Sequence, residues 1–157
     1  MKMLGIDPGF RIAGYSIIEC SNNRLSIVDV GVFKMAQSLS IPVRLQLFYD
    51  FFNDTIQVHS ITALTLETSF MGKNAQNFLK LGYLRGALYL LSQKHSLALH
   101  EYAPREIKQI VTGFGGAEKE QVARVLQMLF PKVSLDGLPL DATDALAIAL
   151  CGVWKML

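Results

Sequence analysis

Two aspartates, Asp141 and Asp144, stand in the stretch "PLDATDALAIAL", at the start of the last apolar run of the chain. Three residues apart at the beginning of a helix, they would project from the same side. One aspartate there is ordinary, because helix N-termini favour negative charge and aspartate is a common cap. A second is repelled by the first, so the pair predicts a positive partner between them.

Two further acids follow apolar segments that read as strands. Asp7 ends the first segment in "GIDPG", and Glu67 ends "ALTLE". Each has an ordinary explanation, since Asp-Pro-Gly is a common turn and a glutamate after a buried strand can be its first solvated residue. If these strands lie parallel and adjacent, however, both acids emerge at the carboxyl edge where α/β folds place their ligand sites. A closing helix that begins at this edge would add its aspartate pair.

Four carboxylates gathered in one place predict a divalent metal site. Two charges about 4 Å apart repel by about 4 kcal/mol at an effective dielectric constant of about 20, so the acids must bind protons or cations. Carboxylate oxygens suit Mg²⁺, with Mn²⁺ as a substitute, and we expect one or two ions per subunit. Such ions would activate water and stabilise the leaving oxygen of a phosphodiester. The three histidines, His59, His95 and His100, are interpreted as surface or structural residues.

The elements that must position these acids can be predicted from periodicity. Alternating or continuous apolar runs predict five strands, at residues 3–6, 13–20, 25–35, 61–67 and 97–102. Helical spacing predicts helices within 41–58, 74–95, 104–111 and 113–130, and a last one starting around Asp141. Three strands on short connections favour an antiparallel meander. The whole order predicts an α/β fold with a five-stranded mixed sheet and helices on both faces.

Composition limits the class of protein. At 157 residues, residues 1–157 are expected to form a single domain, and 51 % hydrophobic residues argue against disorder. No run reaches the roughly 18 apolar residues needed to span a bilayer, and "MKMLGIDPG" lacks the apolar region of a signal peptide. Cys20 and Cys151 lie in apolar stretches and are interpreted as reduced core residues. A cytoplasmic location without membrane contact is therefore expected.

The charge is unevenly distributed. The formal net charge is only +2, yet residues 73–124 contain eight Lys or Arg and four Glu. Charge alone is explained equally well by a surface for a polyanion and by solvated helix faces. Two bound divalent ions would raise the total from +2 to +6, which favours nucleic acid as the ligand.

Four segments together resemble the RuvC family of Holliday junction resolvases: "GIDPGFRIAGYS", "ETSFMGKNAQNFLKLGYLRG", "EYAPREIKQIVTGFGGAEKEQV" and "DATDALAIAL". The likeness runs in order along nearly the whole chain. It implies a ribonuclease-H-like fold and a homodimer that acts in DNA recombination and repair. The implied activity is Mg²⁺-dependent, symmetric nicking of two strands of a four-way DNA junction. It also implies contact with the branch-migration proteins RuvA and RuvB.

The resemblance assigns roles to individual residues. The acidic site of the family falls on Asp7, Glu67, Asp141 and Asp144. Phe70 matches a phenylalanine that stacks on an unpaired base, although a peripheral core position would also explain it. Lysines near the scissile phosphate match Lys108 and Lys119, and the further DNA contacts implied are Lys73, Asn74 and Arg105.

The helix predicted from Asn74 has two apolar stripes. Leu81, Leu84, Leu88 and Leu91 form one, and Phe78, Gly82 and Gly86 form the other. Such a helix must be covered on both sides. We expect one stripe to pack on the sheet and the other, with its two glycines allowing close approach, to form the dimer interface.

Two other functions remain open at this point. An ATPase of the actin and hexokinase type also has Asp-x-Gly after its first strand, but it needs two domains and has no use for the closing aspartate pair. A DNA-architectural protein would use only the basic middle of the chain. It predicts that Asp7→Asn leaves function intact, whereas a nuclease loses cleavage and keeps junction binding.

Overall fold

The computed structural model describes residues 1–69 and 74–157. A single sheet with the order β3-β2-β1-β4-β5 forms the centre of the fold. The first three strands pair antiparallel, whereas β4 lies parallel to both β1 and β5. The strands are β1 Lys2–Asp7, β2 Ile12–Ser21, β3 Arg24–Lys34, β4 Ala63–Glu67 and β5 Ala98–Tyr102. The predicted mixed sheet is confirmed.

In the described part of the chain, five helices connect and cover these strands, and their ends follow local sequence signals. Proline lies in the first turn of α1 and α3, where its missing N–H costs nothing. Gly113, at φ +81°, ends α3 in the left-handed conformation that glycine tolerates. Glu118 and Gln121 form a capping box at the start of α4. The helices are α1 Ile41–His59, α2 Ala75–Lys94, α3 Pro104–Thr112, α4 Lys119–Leu129 and α5 Leu140–Met156.

The sheet separates two hydrophobic cores. On one face, α1 and α2 bury large side chains that include Phe48, Phe52 and Leu88. On the other face, α3, α4 and α5 pack against the sheet, and α5 contributes a nearly continuous buried stretch from Ala145 to Val153. Cys20 and Cys151 are buried free thiols in this second core, as predicted. Helices therefore cover both faces, as the sequence predicts.

Strand alternation decides which face receives the acids. In β1, Leu4 and Ile6 belong to the core beneath α1 and α2, and Met3 belongs to the core beneath α5. Because successive side chains point to opposite faces, Asp7 shares the face of Met3. In β4, Ala63 likewise lies on the α5 face, so Glu67 does too.

Three details differ from the periodicity. The last helix begins at Leu140, one residue before the predicted start. Leu45 is only partly buried, and Thr55 joins the buried side of α1 instead. Arg85 is buried in α2 among leucines, which the two-stripe pattern does not anticipate. Among residues 1–69 and 74–157, none of the helices has the length and apolar character needed to cross a membrane.

Candidate active site

Asp7 and Glu67 end adjacent parallel strands. The register pairs Ile6 of β1 with Leu66 of β4. Asp7 and Glu67 are the next residues of these two strands, so both acids lie at the same carboxyl edge of the sheet. Both side chains are half-buried and lie on the face covered by α5. The parallel pairing of β1 with β4 therefore brings together two acids that are 60 positions apart in the chain.

The N-terminal turn of α5 reaches this edge because small residues let the helix approach the sheet closely. A Cβ at Gly14, which pairs with Asp7 across the sheet, would collide with the backbone carbonyl of Asp141. A Cβ at Gly5 would lie 2.6 Å from the carbonyl oxygen of Ala145. These glycines thus set the height of the helix above the sheet. Sequence reasoning missed them, although glycine inside a strand is a known signal of close backbone approach.

Asp7 is the acid whose ionisation is changed most clearly. Its pKa is raised to about 7, first by burial and then by the negative charges of Asp144, Asp141 and Glu67, in that order. The ammonium group of Lys119 acts in the opposite direction. Without a further cation, Asp7 is therefore about half protonated near neutral pH. The four acids of the sequence analysis are close enough to influence one another through Asp7.

The environment of Glu67 contains more positive charge. Burial and Asp144 raise its pKa, whereas Lys108, Lys119 and Arg85 lower it. Lys108 and Lys119 line a cavity of about 250 Å³ together with Glu67 and Asp144. A second cavity of about 230 Å³ contains both Asp7 and Glu67. Glu67 is therefore common to the two hollows.

Arg85 holds the end of the strand that carries Glu67. Its guanidinium donates to the backbone oxygen of Glu67 at 2.6 Å and forms an ion pair with Glu101. Tyr89 donates to the same Glu101 carboxylate at 2.8 Å. The side chain of Arg85 is only 11 % exposed, so α2 inserts a charge beneath the site rather than an apolar residue. The signal in the sequence is an arginine one turn from Leu81 and Leu88, inside an apolar stripe.

Asp144 has the positive partner that its spacing predicts. Lys119 Nζ donates to Asp144 Oδ2 at 3.0 Å, and this hydrogen bond raises the pKa of Lys119. Over residues 1–69 and 74–157, no three acidic, histidine or cysteine side chains converge tightly enough to hold one metal ion. Asp144 is turned towards Lys119 in this arrangement. The carboxylates are thus neighbours, coupled in charge, without forming a closed ligand cage.

The other residues predicted for DNA contact have different environments. Asn74 caps α2, and its side-chain oxygen accepts from the Asn77 N–H at 3.0 Å, which gives it a structural role. Arg105 is exposed in the first turn of α3. Phe70 and Lys73 lie outside the described residues.

The stripe predicted for the dimer interface faces outward. Phe78 is exposed, and a Cβ at Gly82 or Gly86 would meet no atom within 4 Å. Leu79 and Leu90 of the same helix are 56 % and 67 % exposed. The opposite side of α2 is buried at Leu84, Leu88 and Leu91. The helix is therefore apolar on both sides and covered on one.

Comparison with known proteins gives a consistent family. The family model described as crossover junction endodeoxyribonuclease RuvC matches residues 3–152. The RuvC protein of Chloroherpeton thalassium is 41 % identical over 155 residues, which cover 99 % of this chain and 83 % of the relative. That of Thermosipho melanesiensis is 37 % identical and covers 96 % of both chains.

Solved structures agree on the fold. Thermus thermophilus RuvC in complex with a Holliday junction substrate superposes with a TM-score of 0.91, at 23 % identity, over 99 % of this chain and 94 % of the other. The yeast mitochondrial Holliday junction resolvase Ydc2 gives a TM-score of 0.71 at 14 % identity, over 95 % and 76 % of the two chains. These likenesses establish the arrangement of strands and helices.

Proposed function

The chain belongs to the RuvC family of crossover junction endodeoxyribonucleases, which hydrolyse phosphodiester bonds with the help of divalent metal ions, and we propose that it nicks two symmetry-related strands of a four-way DNA junction. The observation that carries this proposal is the half-buried Asp7, whose pKa is raised to about 7 among three other carboxylates. The fold keeps these mutually repelling carboxylates together at the carboxyl edge of the sheet. A site that gathers negative charge in this way favours a cation as its partner.

The donor atoms fit Mg²⁺, with Mn²⁺ as a substitute. Asp7, Glu67, Asp141 and Asp144 offer only carboxylate oxygens, the ligands that hard cations prefer. One or two ions held there would activate water and stabilise the leaving oxygen of the phosphodiester. The acids lie at two strand ends and in the first turns of α5, at one edge of the sheet.

The two lysines supply the positive charge that a phosphate needs. Lys108 and Lys119 line the same cavity as Glu67 and Asp144, so a phosphate in that cavity would have two ammonium groups in its lining. Lys119 is held by Asp144 in this conformation. It becomes available to a phosphate once Asp144 has another positive partner. Arg105, Phe70, Lys73 and Asn74 remain predicted contacts for the DNA around the cut.

A homodimer is the proposed assembly. The outer side of α2 presents Phe78, Leu79, Tyr83 and Leu90 to solvent around two glycines that leave room for a second backbone. A two-fold dimer would offer two sites to two equivalent strands. Leu79→Asp should convert the dimer to a monomer in sedimentation velocity, whereas Val58→Asp, at a residue 77 % exposed on α1, should leave it dimeric. Contact with RuvA and RuvB is a proposal from family resemblance alone.

A synthetic mobile four-way junction tests the activity. With Mg²⁺, the wild type should produce paired nicks at symmetric positions in two strands, and a linear duplex of the same sequence should stay intact. Asp7→Asn should bind the junction and fail to cut it.

Two outcomes would contradict the nuclease. Unchanged function in Asp7→Asn would favour the DNA-architectural alternative. Hydrolysis of ATP by the wild type, without cleavage of DNA, would favour the ATPase alternative.

A further inference from the structure

A second basic region lies on the same sheet edge as the carboxylates, on the side away from Lys108 and Lys119. Arg11 and Lys34 line a cleft of about 410 Å³, larger than either cavity at the acids. The cleft also contains Ile12, Met35, Ala36 and Gln37, and among the residues that the structure describes no acidic one lines it. Its two charged side chains are exposed.

The strand register places the cleft relative to Asp7. Asp7 pairs with Gly14 of β2, and Ile12, two residues earlier in β2, pairs with Lys34 of β3. Two strand spacings and two residue rises give a separation of roughly 12 Å between the Cα atoms of Asp7 and Lys34. A nucleic acid strand carries one phosphate per about 3.4 Å of axis. One strand can therefore reach both places within about three or four nucleotides.

The backbone of the cleft is held in place by neighbouring elements. The Met35 N–H donates to the Arg11 carbonyl at 2.9 Å, which joins the start of β2 to the end of β3. From α1, Arg44 Nη1 donates to the Phe10 carbonyl at 3.3 Å, and its guanidinium lies 5.2 Å from the centre of the Phe10 ring. The loop before Arg11 is thus fixed on two sides, so a ligand need not order it.

The charges of the cleft are not used within the described chain. In residues 1–69 and 74–157, the ion pairs engage Arg85, Lys119 and Lys155. Arg11 and Lys34 are absent from these pairs, and they flank a site that acts on a polyanion. Arginine presents a fork that matches phosphate oxygens, and lysine adds a compact charge.

We propose that the cleft formed by Arg11 and Lys34 binds the sugar–phosphate backbone of the junction strand a few nucleotides from the cut. The inference rests on the proposed function, because it assumes a DNA strand at the carboxylates. The contact is independent of sequence, since it addresses phosphates rather than bases. It extends the basic path from Lys108 and Lys119, across the acids, to the opposite end of the sheet edge.

The test is the salt dependence of junction binding by the double variant Arg11→Gln/Lys34→Gln. Each lost phosphate contact should lower the slope of log K against log salt concentration by about 0.9, so the slope should fall by about 1.8. At about 0.15 M salt this corresponds to a loss of affinity on the order of thirtyfold. Because the register places Lys34 roughly 12 Å from Asp7, the loss should be larger in junction affinity than in the cleavage rate at saturating junction.

Arg24→Gln is the matched control, because Arg24 is an exposed cation on the same strand as Lys34 at its opposite end. It should leave the slope unchanged, and the charge-conserving pair Arg11→Lys/Lys34→Arg should restore most of the affinity. A wild-type slope in the double variant, or an equal loss in Arg24→Gln, overturns the cleft. If the wild type nicks the junction and the double variant binds it with wild-type affinity, the proposal for the cleft is wrong and the proposed function is not affected. Absence of nicking by the wild type contradicts the proposed function instead.

Discussion

The helices pack on the two faces of the sheet in different ways. Beneath α1 and α2 the core consists of large residues, and Phe48 and Phe52 make an edge-to-face contact with their ring centres 4.7 Å apart. Beneath α5 the core also contains large side chains such as Leu146 and Ile148, but helix and sheet approach each other closely at glycines. A Cβ at Gly152, for example, would collide with the side chain of Thr65. On the face covered by α1 and α2, large side chains fill the space between helix and sheet. On the face covered by α5, the backbones of helix and strand approach each other closely.

This difference separates stability from catalysis. Large side chains bury much apolar area and tolerate small adjustments of position. Where a glycine of the sheet faces the backbone of α5, as at Gly5 and Gly14, main-chain atoms fix the distance between helix and strand. The acids all belong to the second face, where Asp141 sits directly over Gly14. Substitutions on the two faces should therefore have different consequences.

The largest effect is expected for Asp7→Asn. Loss of an outer-shell partner in a metal site typically costs about 10–100-fold in activity, and a direct ligand should cost more. Junction cleavage should therefore fall by more than about a hundredfold, with junction affinity retained. Gel assays of nicking and of binding on the same junction check this. Cleavage within tenfold of the wild type would remove Asp7 from the chemistry.

The same residue should make stability depend on pH. The pKa of Asp7 is about 7 in the folded chain and near 3.9 when unfolded, so the folded state holds the proton more tightly between these values. Without divalent ions, this contribution is fully favourable below about pH 4 and is lost as the pH rises through 7. Relative to Asp7→Asn, the wild type should lose on the order of 2–4 kcal/mol across that interval.

Urea unfolding of both proteins at several pH values measures this difference. If the free energies of unfolding of the wild type and Asp7→Asn change in parallel with pH, the pKa of the Asp7 carboxyl is not raised in the folded chain. Mg²⁺ at pH 8 should raise the melting temperature of the wild type, and it should do so much less for Asp144→Asn. Equal shifts in the two proteins would argue against a shared ion.

Gly14→Ala should disturb the packing of α5 on the sheet by adding a single methyl group. The Cβ would collide with the Asp141 carbonyl, so the N-terminal turn of α5 must move away from Asp7. A displacement of about 1 Å at a catalytic group costs about a hundredfold in rate. Single-turnover cleavage measures the loss. Val58→Ala is the control, because that side chain is 77 % exposed on α1, on the other face of the sheet.

The smallest effects come from a matched pair of methyl deletions. Ile56 on α1 and Ile148 on α5 are both nearly fully buried. Ile56→Val and Ile148→Val should each lower the free energy of unfolding by about 0.5–1.5 kcal/mol. Only Ile148 lines the cavity with Glu67 and Lys108, so only its variant should change the cleavage rate, by a few fold. Equal effects on cleavage would mean that the two faces are not separate in function.

The sequence predicts the elements and their order because periodicity and turn residues are local. The short apolar runs of β1 and β4, the alternation in β3, the proline in α3 and the apolar run of α5 are each readable from a few neighbouring residues. The spacing of Asp141 and Asp144 also predicts a positive partner for the pair. Lys119 pairs with Asp144, and the divalent cation expected for the pair remains a prediction. The catalytic and DNA-binding roles of the predicted residues remain predictions.

Contacts between distant elements are what local patterns leave out. Gly14 reads as an ordinary strand glycine until α5 lies over it, and Arg85 reads as a surface charge until Glu67 and Glu101 surround it. The turn of Asp144 towards Lys119 depends on the distance between α4 and α5. That distance arises from packing over the whole second core, and no segment of the sequence encodes it alone.

The backbone contact between Gly14 and α5 has a consequence for engineering. Exchanging the acids for other donors would change the chemistry of the site but not the spacing between β2 and the first turn of α5, where Gly14 meets the backbone of Asp141. To make room for a larger cation at this site, a redesign would first have to change strand β2 beneath the helix. Gly14 therefore determines how closely the first turn of α5, which carries Asp141, approaches the sheet.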